Sequence, residues 1–424
     1  MSASKKTDQK WLSIFVPINA AVGGFSTLLP LYIINIGGTV IDVGNIVSAY
    51  SLTLIPSSIL WGIAVDRKEK RKPFVTYCYL GTTVLLVAGF FLTDVNALLL
   101  LYVCYAGISA AANPAVTILL MEYSPKKKLS MIFAKYSSLT LLGTALGTIP
   151  GVFWTNYFPL RAYFLLCAIF SGISTILAAR YLVEPAFPLE QRAVALSQES
   201  FVTKLRTVTM IFITIPSLED IKSFGKMMRS VFTRHVPLLY LSFFLFFTAS
   251  SLFFTSYTPF LKSREMGDSG VFIVFTTLYI LQAVIYPITG RACERFGEDQ
   301  VAVSALWLRT VGLLAAFTTV LLMLHNSMLM IASIVSIAMI GAGFAFFNTS
   351  SSVLLFRTLP HGKQGELLGI YSALTGIAAF AGAIMSGYLS FNTGYAVTFV
   401  VAAFLYVACA LTLRSAVREH YRPS

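Results

Sequence analysis

Charge is scarce in this 424-residue chain, with Asp, Glu, Lys and Arg making up 12% of it against 57% hydrophobic residues. A chain so apolar cannot hide its hydrophobic surface from water, which excludes an array of soluble domains despite a length that would allow two or three. Cysteine is sparse too. Cys78, Cys104, Cys167, Cys293 and Cys409 fall within or at the edges of apolar runs and form no C-x-x-C pair, so neither a disulfide framework nor a metal site is expected. His235, His325, His361 and His420 lie between or after those runs, and no Asp or Glu falls near the middle of one. A lipid-modifying enzyme would need acids, metal ligands or a histidine gathered at a loop cavity. The chain is therefore read as a non-enzyme without a cofactor.

What is abundant is apolar sequence in pieces of about 20 residues, the length that crosses a bilayer. Such runs lie at about 11–36, 41–65, 73–93, 97–122, 129–154 and 161–183, and again at 237–261, 270–292, 300–324, 327–357, 364–388 and 393–414. The first is too long for a signal peptide and no small-residue cleavage pattern follows it, so it is retained as a helix. With both termini inside, only Arg161, Lys262 and Arg264 face outward and Lys135 and Arg309 sit within spans; every other Lys and Arg is cytoplasmic. The net charge of +13 is then explained by topology and anionic lipid headgroups, and nucleic acid is not needed as a partner. The expectation is an all-α polytopic protein of the inner or plasma membrane, twelve transmembrane helices with cytoplasmic termini, read as a monomer.

The chain repeats itself. Gly62, Asp66 and Arg67, between the second and third runs, recur 228 positions later as Gly290, Glu294 and Arg295. Asn113, Leu119, Leu120, Pro125, Lys128, Tyr136, Ser137, Leu139, Thr140 and Gly147 recur at an offset of 235, from Asn348 through Tyr371 to Gly382. This is the mark of a duplicated membrane unit. It divides the chain into a six-helix bundle at 1–183, a cytoplasmic linker at 184–236 and a second six-helix bundle at 237–424, pseudo-symmetric with the first. Within the linker, 218–232 spaces apolar residues by three and four with Lys222, Lys226 and Arg229 between them. That predicts an amphipathic helix on the inner membrane surface, or alternatively one that binds a cytosolic partner.

Twelve spans in two halves, a long central loop and the pattern Gly62-x-x-x-Asp66-Arg67-x-x-x-Arg71-Lys72 resemble the major facilitator superfamily of secondary transporters over nearly the whole chain. One departure is Glu69, where the family loop has a second glycine; the second copy keeps that glycine as Gly297. The resemblance implies a cytoplasmic latch between the halves, formed by Gly62, Asp66, Arg67, Arg71, Gly290, Glu294 and Arg295. Asp66 would cap the eleventh span near Gln364. The basic residues could equally be topological anchors.

A substrate site is expected at mid-depth, where polar side chains are costly and face the interior. Asn19, Asn113 and Asn348 each lie about 14 Å along a helix from a charged residue at the inner edge. Thr248, Ser251 and Thr255 share one helical face, and Asn348 and Ser352 another. In the resembled family the first, fourth, seventh and tenth spans line the cavity, although membrane Asn and Ser also serve helix contacts. Tyr136 and Tyr371 either line the path or pack. Gly143, Gly147, Pro150 and Gly151 loosely resemble the glycine-proline motif of antiporters in the superfamily, and small residues at that spacing also serve helix contact. Arg309 is expected in a structural pair, with Glu298 near it in sequence, or in function. Glu122 and Lys135 are the best coupling pair for protons. The expected function is movement of a small neutral or amphipathic molecule by alternating access, with export by proton antiport first. A facilitator or symporter for a neutral metabolite is the alternative, and a transporter-fold sensor is third.

Overall fold

The computed structural model describes residues 10–67, 71–112, 115–116, 119, 129–182, 235–324, 326–358 and 364–420. Among them are twelve α-helices and no strand: α1 (Phe15–Asn35), α2 (Val40–Arg67), α3 (Lys72–Phe91), α4 (Val95–Ser109), α5 (Leu129–Tyr157), α6 (Tyr163–Tyr181), α7 (His235–Ser263), α8 (Asp268–Phe296), α9 (Glu298–Leu321), α10 (Asn326–Thr358), α11 (Gln364–Thr393) and α12 (Tyr395–His420). All but α4 and α5 contain a stretch long and apolar enough to cross a membrane, and the described part of α4 is a shorter apolar helix. In α5 the run is diluted by Ser137, Ser138, Thr140, Gly143, Thr144, Gly147 and Thr148. Leu60, Tyr77, Val84, Phe91, Phe153 and Phe404 stay exposed on the outer surfaces, as side chains that meet lipid do. The linker helix expected at 218–232 lies outside the described residues.

Helix ends are built locally. Thr39 and Asp42 form a capping box at the start of α2, with the Asp42 carboxylate accepting from both the Thr39 backbone N–H (2.7 Å) and its hydroxyl (2.8 Å). Asp94 caps α4 by accepting from the Ala97 N–H. Between α8 and α9 the chain reverses at Gly297, whose φ of +83° is one that residues with a Cβ rarely adopt.

α1 packs on α5 and α6, α3 on α6 and α4, and α2 on α4. In the second set α7 packs on α11 and α12, α9 on α10 and α12, and α8 on α10. Two long seams, α2 on α11 and α5 on α8, join the sets. The repeat is visible as repeated contacts. A Cβ at Gly147 would collide with the Ala20 backbone, and one at Gly382 with the Thr248 backbone. Each glycine is thus what lets α5 close on α1 and α11 close on α7, since helices in lipid are held by such close packing. Likewise Tyr136 meets Phe15 edge to face at 5.0 Å, and Tyr371 meets Phe243 edge to face at 5.2 Å. These pairs keep the 235 and 228 offsets of the sequence.

Candidate substrate site between the bundles

The two sets of helices touch unevenly along their length. At the face away from the chain ends, Asn35 of α1 donates to Asp268 of α8 (3.0 Å), and Asp268 also pairs with Lys262 (2.7 Å). There Gly44 of α2 leaves room only for the backbones of Ala383 and Gly387 in α11. Thr276 of α8 donates to Thr148 of α5 at 2.8 Å, and Phe272 fills the space over Gly151. At the other face, a Cβ at Gly62 or at Gly290 would meet nothing within 4 Å. Among the described residues, the bundles are joined at the end of Asn35 and Asp268, and Gly62 and Gly290 at the other end make no close approach.

Above the seal lies a polar and aromatic space. Ser26, about 14 Å along α1 from Asn35, is exposed, yet its hydroxyl is 3.4 Å from that of Tyr279 on α8. An exposed serine that reaches the other bundle at mid-depth looks into the gap between them and away from lipid. Three tyrosine rings form one wall: Tyr50 of α2 stacks on Tyr102 of α4 at 4.5 Å, and Tyr102 lies parallel to Tyr105 at 5.8 Å. Phe25 braces both α4 rings from the side at 5.6 and 5.0 Å. Tyr50, Tyr102 and Tyr279 are only half-buried. Within the second bundle, Asn348 of α10 donates to the Tyr286 hydroxyl at 2.8 Å, and Ser352 donates its hydroxyl to the Asn348 carbonyl at 2.7 Å.

Other expected residues fall elsewhere. Thr248, Ser251 and Thr255 do not line this space: Gly382 packs directly on Thr248 and Ser251, and Ser251 donates to the Ala379 carbonyl at 2.7 Å. Thr255 is 4% exposed. Their polar face is the α7–α11 seam, where small side chains permit close approach. Asn19 donates to the Phe15 carbonyl of its own helix and sits against Gly143, at the α1–α5 contact. Gly143 and Gly147 serve that same contact and Gly151 serves the α5–α8 seam, so the glycines of α5 are occupied with packing. Tyr136 and Tyr371 pack on phenylalanines. Asn113 and Glu122 lie outside the described residues, as do the side chains of Asp66, Arg67 and Lys135.

Of the latch residues, Arg71 is buried and donates to the Val65 carbonyl at 2.6 Å, tying the end of α2 to the start of α3. Glu294 and Arg295 are exposed, and the Arg295 guanidinium lies over Phe296 at 5.3 Å. In this conformation neither Gly62 nor Gly290 is a point of close approach. Arg309 is not paired with Glu298, because the eleven steps from one to the other along α9 amount to about 16 Å. Its fully buried guanidinium instead lies 4.7, 5.4 and 4.6 Å from the ring centres of Phe246, Phe344 and Tyr406 and donates to Ser250 at 3.1 Å. A tyrosine joins an apolar ring to a polar tip, so its place in the sequence does not separate a wall from packing. The three-residue spacing of Tyr102 and Tyr105 and the seven-residue spacing of Tyr279 and Tyr286 would have marked two aromatic helix faces.

The sequence model of the Major Facilitator Superfamily matches residues 12–276 and 239–424. The chain belongs to the major facilitator superfamily. It is a multi-pass membrane transporter and not an enzyme. An uncharacterized MFS-type transporter of Methanocaldococcus jannaschii is 19% identical over 389 residues, covering 91% of each chain. Among solved structures, the nucleoside transporter NupG aligns with TM-score 0.70 at 16% identity over 96% of this chain and 98% of its own. A D-xylose-proton symporter aligns with TM-score 0.71 at 14% identity, over 95% and 96%. A POT family transporter bound to a conjugated peptide aligns with TM-score 0.75 at 13% identity, over 97% and 96%. At these identities the structural matches establish the shared major facilitator fold.

Proposed function

We propose that this transporter moves a small uncharged or amphipathic molecule across the plasma membrane by alternating access, with the termini in the cytoplasm and export by proton antiport as the direction. The carrying observation is the stack of half-buried Tyr50 and Tyr102, backed by the buried Tyr105, beside the mid-depth contact of Ser26 with Tyr279 that crosses between the bundles. No carboxylate or histidine among the described side chains shares that depth, so nothing described there would neutralise a charged substrate. In this reading the gap is entered from the face that the excess of Lys and Arg assigns to the cytoplasm, opposite the Asn35–Asp268 contact. A cytoplasmic substrate can enter it directly, as export requires.

Proton coupling in this reading belongs to Glu122 and Lys135, near the inner mouth, since a carrier must change charge and meet both sides. The lack of a described mid-depth acid favours a second reading, a facilitator for a neutral metabolite. Flux by the purified protein in liposomes, with and without a proton gradient, separates the two. Accumulation driven by the gradient and lost in Glu122→Gln supports antiport; wild-type flux that ignores the gradient supports the facilitator.

A further inference from the structure

The transport reading leaves the substrate class open, and resting on that reading we infer that the tyrosine wall is a stacking platform for a flat, neutral heteroaromatic ring. The rings of Tyr50, Tyr102 and Tyr105 lie within 24° of one another, so they present a common plane direction. Flat rings gain most from such faces, by offset stacking that a saturated ring cannot match. Polar groups sit at the platform's edge. The hydroxyls of Ser26 and Tyr279 meet there at 3.4 Å, and Tyr279 lies within electrostatic reach of Tyr102. Seven residues beyond Tyr279 on α8, about 10 Å, Tyr286 accepts from the Asn348 amide. These are donors and acceptors for ring nitrogens and carbonyls, which a plain hydrocarbon would leave unsatisfied.

Charge decides against the two rival occupants of an aromatic site. An organic cation is attracted by ring faces, but no described carboxylate stands at this depth to share its charge. An organic anion would need a cation it can touch, and Arg309 is 0% exposed behind Phe246, Phe344 and Tyr406. A neutral ring is the occupant that leaves no charge unpaired.

The test uses the purified full chain with six probes: caffeine, uracil and nicotinamide as neutral heteroaromatics, with glucose, tetraethylammonium and benzoate as controls. Binding is read as a rise in Tm and by equilibrium dialysis. At least one heteroaromatic should bind more tightly than all three controls. Its affinity should fall about threefold to tenfold in Tyr102→Leu, the worth of one stacking contact, and stay near wild type in Tyr102→Phe, which keeps the face and guards against misfolding. Tight binding by a control alone, no heteroaromatic binding, or equal affinity in wild type and Tyr102→Leu overturns the inference. The same probes are then followed into liposomes. A heteroaromatic that binds but does not cross leaves the platform standing and removes the transport reading, whereas glucose crossing with no heteroaromatic bound keeps transport and removes the platform.

Discussion

Arg309 carries a full charge into the middle of a membrane helix, held by three ring faces and one hydroxyl while its Nε and second terminal nitrogen make no hydrogen bond. Its stem passes over Gly343, where a Cβ would collide with it. Because desolvation of a buried ion outweighs much of what its partners return, Arg309→Met should leave the thermal stability of the purified protein unchanged or raise it. Ser250→Ala, which strips the hydroxyl from a buried cation, should lower it by about 1.5–3 kcal/mol. The opposite order of melting temperatures would mean that the cation itself holds the bundle together. At the site, Asn348→Leu keeps volume but removes a donor and an acceptor, so substrate affinity should fall by about 0.5–1.5 kcal/mol. Direct binding at wild-type affinity by folded Asn348→Leu protein would remove Asn348 from the site. Asn348 was conspicuous in the sequence because an amide amid apolar residues needs a reason. The tyrosines were not, since a Tyr packs, anchors or binds with equal ease.

Among the elements, α5 and α11 do equivalent work through Gly147 and Gly382. Substituting either with Ala forces a methyl into a backbone contact, so each should destabilise the protein, by about 1–3 kcal/mol, and by similar amounts. A detergent melt showing one variant destabilised and the other at wild-type Tm would contradict the equivalence. The duplication was readable because identity at Gly147 and Gly382, and at Tyr136 and Tyr371, survived where the contact tolerates little else. The role of α7 was not readable. Periodicity groups Thr248, Ser251 and Thr255 on one face, but says nothing of which neighbour covers that face, and α11 does. The same limit applies to Arg309 and Glu298: closeness in sequence along a helix becomes distance in space.

For the molecule as a whole, the polar contacts described at the sealed end are Asn35 with Asp268 and Thr148 with Thr276, set within the α2–α11 and α5–α8 seams. Asp268→Ala releases Asn35 and Lys262 together. It should raise labelling of a single cysteine at Ser26 by an impermeant thiol reagent added from the sealed side, in a background without the native cysteines. Unchanged labelling from that side would show that Asp268 does not hold the seal. Asp66→Asn should act in the reverse sense in the same assay, if Asp66 latches the opposite end.

The sealed cation has one more consequence, an electrical one. Arg309 belongs to the second bundle and has Gly81 or Phe74 at the matching positions of the first, by the two offsets of the repeat, so its charge in the membrane field has no counterpart at the equivalent place. A charge crossing the entire field is worth about 2.3 kcal/mol per 100 mV, so a tilt that carries Arg309 through a tenth of it is worth about 0.2 kcal/mol. A carrier of neutral cargo would then still produce a small transient current when the voltage is stepped, and Arg309→Met would silence it.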